Sequence, residues 1–87
     1  MSVFMVQREL GNIAMNDLAA AQKAAIATAR AATARGTPVR YIRSAFVPES
    51  GQCFCFFEAQ RNEDVAAVNR EAKVPYTKIV EALDLPG

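Results

Sequence analysis

Histidine and tryptophan are absent from this 87-residue chain, and cysteine occurs only twice. Without imidazole the chain lacks the commonest metal ligand and the usual general base near neutral pH. Two cysteines are too few for a disulfide scaffold. Cys53 and Cys55 stand two apart in what reads as a strand, so their side chains share one face. Their Cα atoms are then roughly 6.5–7 Å apart, at or beyond the reach of a disulfide. Both read as reduced thiols of a cytoplasmic protein. A charge excess is missing too: ten Lys and Arg against nine Asp and Glu leave +1. A phosphate backbone meets no broad basic field, and no nucleic-acid partner is expected. No charged leader followed by an apolar segment opens the chain, so no signal peptide is expected. The Ala-rich stretch is broken by Gln22, Lys23 and Arg30, so no membrane span is expected either. No Ser/His/Asp set, Gly-rich phosphate loop or carboxylate dyad is visible, and no cofactor is expected.

What is present is apolar. Hydrophobic residues make up 52% of the chain, with five Phe and two Tyr. A chain this short hides only about 60–65% of its unfolded surface when folded alone. Self-association is therefore expected. The length allows one domain, residues 1–87.

Periodicity sets the elements. Residues 2–8 read as a strand, with Val3, Met5 and Gln7 on one face and Phe4, Val6 and Arg8 on the other. Leu10-Gly11-Asn12 ends it with turn chemistry. A helix follows over 15–35, with Asn16 and Asp17 in its first turn and ten alanines between 19 and 34. Leu18, Ala21, Ala25, Ala29 and Ala32 form its buried stripe, with Ile26 beside it. Gly36 is placed to cap its end. Thr37-Pro38 restarts the chain as a strand over 39–47, with Val39, Tyr41, Arg43 and Ala45 expected on one face and Arg40, Ile42, Ser44 and Phe46 on the other. Pro48-Glu49-Ser50-Gly51 is a turn. The strand 52–58 carries the run Cys53-Phe54-Cys55-Phe56-Phe57, apolar on both faces. A second helix over 62–72 has Asn62 as its expected N-cap and Val65, Val68 and Ala72 as its buried face. Residues 77–83 read as a last short strand.

The order β-α-β-β-α-β is the ferredoxin-like, α+β arrangement: a four-stranded antiparallel sheet with two helices on one face. One sheet face is then open in a monomer. The doubly apolar strand 52–58 conflicts with a wet face, and a homodimer through that face resolves the conflict.

Three groups of residues bear on chemistry. The Cys-x-Cys pair reads as two small buried hydrophobes. Aromatics on the third strand of such a sheet also occur in RNA-recognition domains, but Ser50 and Gln52 flank Gly51 where that motif needs a basic residue and an aromatic one. Gln7, Arg40, Arg43 and Glu58 interrupt apolar strands and read as groups at sheet edges or in interface hydrogen bonds and ion pairs, with Arg43 also able to clamp a carboxylate.

Several stretches carry a family resemblance. They are Phe4-Met5-Val6-Gln7-Arg8, the turn to Leu18 with its Ala-rich helix, Tyr41-Ile42-Arg43-Ser44, Cys55-Phe56-Phe57-Glu58-Ala59, and Val68-Asn69-Arg70-Glu71-Ala72-Lys73-Val74-Pro75. Together they resemble, over nearly the whole chain, a family of small bacterial ferredoxin-like proteins that includes an actinobacterial nickel-binding dimer. The resemblance implies the fold and the dimer. In the nickel binder a His precedes the Arg of the first strand, another follows Val in the second helix, and a third precedes its Pro. Gln7, Asn69 and Val74 stand at those places here, and Cys55 alone matches. Amide and isopropyl groups do not replace imidazole on nickel, so no metal site is expected. The favoured reading is a non-catalytic small-ligand-binding or interaction module, its candidate pocket built from Gln7, Arg43, Cys55, Glu58 and Asn69. A cofactor-independent enzyme of the dimeric ferredoxin-like type is the alternative by fold analogy; Glu58, Tyr41, Tyr76 and Cys55 are its proton-transfer candidates. A nickel-binding role comes third, disfavoured by the missing histidines.

Overall fold

The computed structural model describes residues Met1–Gly87. The elements are β1 (Ser2–Glu9), α1 (Met15–Ala34), β2 (Val39–Val47), β3 (Gln52–Ala59), α2 (Asn62–Ala72) and β4 (Lys78–Ala82). One four-stranded sheet has the order β2-β3-β1-β4, and each neighbouring pair is antiparallel. This is the expected ferredoxin-like arrangement. The two β-α-β crossovers interlock: β3 lies between β1 and β2, and β1 lies between β3 and β4.

Both helices lie on the sheet face formed by Phe4, Val6 and Arg8 of β1 and Cys53, Cys55, Phe57 and Ala59 of β3. These side chains are buried, together with Ala25, Ala29 and Ala32 of α1 and Val65 and Val68 of α2. The expected alanine stripe is the buried one. Alanine both favours the helix and lets its axis approach the strands closely. Helix α1 ends in a Schellman motif: Thr37 N–H donates to Ala32 O (3.0 Å) and Gly36 N–H to Thr33 O (3.1 Å). Gly36 sits there at φ +100°.

Two expectations need correction. Asn62 is not the N-cap of α2. Arg61 holds that position with extended backbone, and its guanidinium pairs with Asp64 in the first turn (2.9 Å). Asn62 instead donates through Nδ2 to Ile79 O (3.1 Å), tying α2 to β4.

The second correction concerns β2. Its side chains do not alternate without interruption. Tyr41 lies opposite Phe57, and Arg43 opposite Phe56, so Ile42 is an extra residue in the ladder. This β-bulge reverses the alternation beyond it. Tyr41 and Phe46 both pack on the core, and Ser44 lies opposite Cys55. Arg43 and Ala45 are displaced to the open face, where the Arg43 guanidinium lies 5.8 Å from the Phe56 ring centroid.

The far end of the β2-β3 hairpin touches the end of β1. Leu10 N–H donates to Gly51 O (2.8 Å). A Cβ on Gly51, at φ +77°, would lie 2.6 Å from Gly11 Cα. Only glycine fits that approach.

Candidate functional site

Arg8 is the unusual residue of the core. It is 2% exposed and stands on the apolar face of β1, level with Cys53 of β3. Neutral acceptors surround its guanidinium. Nη2 donates to Asn69 Oδ1 (2.6 Å), Nη1 to the carbonyls of Val74 (3.3 Å) and Pro75 (3.2 Å), and Nε to Cys55 Sγ (3.3 Å). No carboxylate pairs with it; the four ion pairs of the molecule all lie elsewhere.

Local structure puts these acceptors in place. Asn69 lies one turn beyond Val65 on α2 and donates Nδ2 to Val65 O (2.8 Å), which turns its Oδ1 towards Arg8. Lys73 closes α2 in the left-handed conformation at φ 60°. That turn swings Val74 and Pro75 over the sheet. Thr77 then pins the segment to β1, donating N–H (2.8 Å) and Oγ1–H (3.0 Å) to Gln7 O.

Beside Arg8 a cleft of about 140 Å³ opens between the first half of α1 and the sheet. Its polar wall is a donor chain. Gln22 Nε2 donates to the Tyr41 hydroxyl (3.0 Å), Tyr41 bonds Ser44, and Ser44 Oγ donates to Cys55 Sγ (2.9 Å). Its apolar wall includes Leu10, Leu18, Ala21, Phe46 and Val74. Cys53 and Cys55 are both free and buried, with sulfurs 3.8 Å apart. The Cys53 thiol is pushed up from 9.0 to about 11, by burial first and then by the neighbouring Cys55.

The five residues of the expected pocket do not converge. Cys55 and Asn69 meet at Arg8, on the helix-facing side of the sheet. Gln7, Arg43 and Glu58 lie on the open side. Glu58 pairs with Arg40 (3.1 Å), its cross-strand neighbour. Arg43 pairs with Asp84, which lies beyond β4 at the opposite edge, so this ion pair joins the two edges of the sheet. The carboxylate that Arg43 clamps is the chain's own.

Arg8, Ser44 and Gln22 were not among the expected pocket residues. Arg8 carries a legible signal: it continues the buried Phe4–Val6 stripe with a charge. Gln22 follows Leu18 by one helical turn and therefore shares its face. Ser44 gives no signal, because the bulge at Ile42 decides its side.

Residues 4–82 match the nickel responsive protein SCO4226-like family. The chain belongs to that family. Among solved structures, the crystal structure of SCO4226 from Streptomyces coelicolor A3(2) is similar to this chain. The two are 23% identical with a TM-score of 0.82, and the match covers 97% of this chain and 100% of that one. At that identity the likeness speaks for the fold. No curated protein sequence matches the chain.

The donor set of this SCO4226-like protein does not suit nickel. No cluster of three His, Cys, Asp or Glu side chains exists. The two thiols are the softest donors present, and the Arg8 cation lies against one of them. A dication placed there would meet like charge. Asn69 is already committed to Arg8 and Val65, Val74 has no side-chain donor, and Gln7 faces the other side of the sheet.

No helix is long and apolar enough to cross a membrane.

Proposed function

We propose that this SCO4226-like protein is a non-catalytic module that binds a small molecule in the cleft between α1 and the sheet, and that it works in the cytoplasm as a homodimer. The observation that carries the reading is the cleft itself. Polar side chains from three elements, Gln22 of α1, Tyr41 and Ser44 of β2 and Arg8 of β1, line one wall of an otherwise apolar space. Concave, mostly apolar sites with a few placed polar groups are how small ligands are held. The cleft contains no carboxylate or imidazole to move protons, and Glu58 lies on the other side of the sheet. That distribution favours binding over turnover.

The dimer rests on the open face. Val3, Met5, Phe54 and Phe56 are only half-buried there, and Val80 is exposed. A contiguous apolar face on so small a protein is the kind of surface a second copy covers.

Backbone amide shifts on titration with neutral and charged organic molecules of up to about eight non-hydrogen atoms test the binding reading; that size is set by the cleft. Shifts clustered at Leu18, Gln22, Ser44 and Phe46 are expected. Shifts confined to the open face, or none, would remove the cleft as the site. Sedimentation at micromolar concentration tests the dimer. A single species near 9.4 kDa, the monomer mass, would remove it.

A further inference from the structure

We infer that the ligand of this cleft is a small carboxylate with a short aliphatic body, its anionic end held at Arg8. The inference rests on the binding reading above and names the class of ligand.

A fully buried cation is ordinarily neutralised by an anion. Arg8 has no carboxylate partner: its acceptors are an amide oxygen, two backbone carbonyls and a cysteine sulfur. These provide four acceptors for five N–H donors, which leaves one N–H and the whole positive charge unmatched. Burying a guanidinium without a counter-ion is costly, and a bound anion would offset that cost. Arg8 also borders the cleft, so an anion bound there lies against its side chain.

The rest of the lining restricts the ligand. The volume of about 140 Å³ is close to that of an apolar cavity able to hold benzene, which limits the occupant to roughly six to eight non-hydrogen atoms. Leu10, Leu18 and Phe46 offer an apolar surface for a hydrocarbon body. Ser44, which shares Cys55 Sγ with Arg8, and Tyr41, bonded to Ser44, add hydroxyls to the same wall that can turn towards a carboxylate oxygen. A phosphate ester of this size would bring a second charge that no further cation in the cleft would balance. The lining therefore suits a monoanion, and a carboxylate best.

Calorimetric titration of the wild-type protein with isovalerate, and separately with isovaleramide, tests this. The two have nearly the same shape and differ in charge. Isovalerate is expected to bind at least about tenfold more tightly, because the charge-assisted contact exists only for the acid. Arg8→Met is expected to abolish the preference for the acid. If that variant fails to fold, the comparison on wild-type protein still decides. Ala21→Leu, which fills the cleft and leaves Arg8 untouched, is expected to lose both ligands. Equal binding of acid and amide would overturn the carboxylate assignment and leave the binding module standing. Absence of binding by both would overturn the two together. Ultraviolet thiolate absorbance at neutral pH that Cys55→Ser removes would also overturn the assignment, since the counter-anion would then be the protein's own sulfur.

Discussion

Phe56 and Phe57 are neighbours on β3 and lead different lives. Phe57 points towards the helices, is fully buried and meets Tyr41 edge-on with ring centroids 5.4 Å apart. Phe56 points to the open side, is half-buried and lies beneath Arg43. The same contrast runs along the whole sheet. The helix-facing side is closed and holds a buried cation among neutral acceptors. The open side is apolar at its middle and has exposed ion pairs: Arg40 with Glu58, and Arg43 with Asp84. Charge on the open side is matched and solvated; the Arg8 charge on the closed side has neither a carboxylate partner nor solvent. A function that needs an unbalanced charge therefore belongs on the closed side, and a function that needs apolar area belongs on the open one.

The widest gap between the two faces is expected from truncating these two rings. Phe57→Ala should cost about 3–5 kcal/mol in urea unfolding, as a large core side chain leaves a cavity. Phe56→Ala should cost the isolated chain much less and act chiefly on self-association. Equal losses in both variants at a concentration where the protein is monomeric would erase the distinction between the faces.

A smaller contrast lies between two amides. Asn69→Ala removes the closest acceptor of the buried guanidinium and should cost about 1–3 kcal/mol. Gln7→Ala, one residue before Arg8 but on the open face, should change stability by less than about 0.5 kcal/mol. Thermal melts of the two variants side by side give the comparison.

The closed side also responds to pH in a way the open side does not. Because the folded value of Cys53 is raised, the fold favours its neutral thiol. That contribution is complete below pH 9.0, the ordinary value, and is lost as pH climbs towards about 11. Unfolding free energy should therefore fall across that window, and Cys53→Ala should flatten the fall. An unchanged slope in the variant would assign the loss to other groups.

The smallest effect is expected at the rim. Arg40→Ala breaks an ion pair in which the Arg40 side chain is 61% exposed. It should shift stability by no more than about 0.5 kcal/mol, and less in high salt.

Most of the fold was legible because its signals are local. The alanine run marks α1, Gly36 marks its end, and the alternation of β1 and β3 matches the observed burial residue by residue. The same alternation puts Phe4, Val6 and Arg8 on one side; that it is the buried side comes from the structure. The site was much less legible. Two facts hid it, and both are non-local. The acceptors of Arg8 come from α2 and the loop after it, more than sixty residues away in the chain. The phase of β2 depends on its pairing with β3, which composition does not report. Asn62 shows a third limit. Its residue type suits a cap, but the carbonyl of Ile79 competes for the same side chain and takes it.

The bulge at Ile42 makes β2 a strand with two reading frames. Before it, odd-numbered residues face the helices; after it, even-numbered ones do. The unpaired state of one residue, rather than any change of composition, decides that a serine borders the cleft and an arginine does not. Pairing Ile42 with Phe56, in place of the bulge, would exchange the two, whereas deleting Ile42 would leave Arg43 opposite Phe56 and Ser44 opposite Cys55 as they are now. In the unbulged ladder Arg43 would lie opposite Cys55, on the side of Arg8, and the open face would lose its partner for Asp84. Within this fold, one unpaired residue in an edge strand therefore sets the charge of the interior while every residue around the cleft keeps its identity.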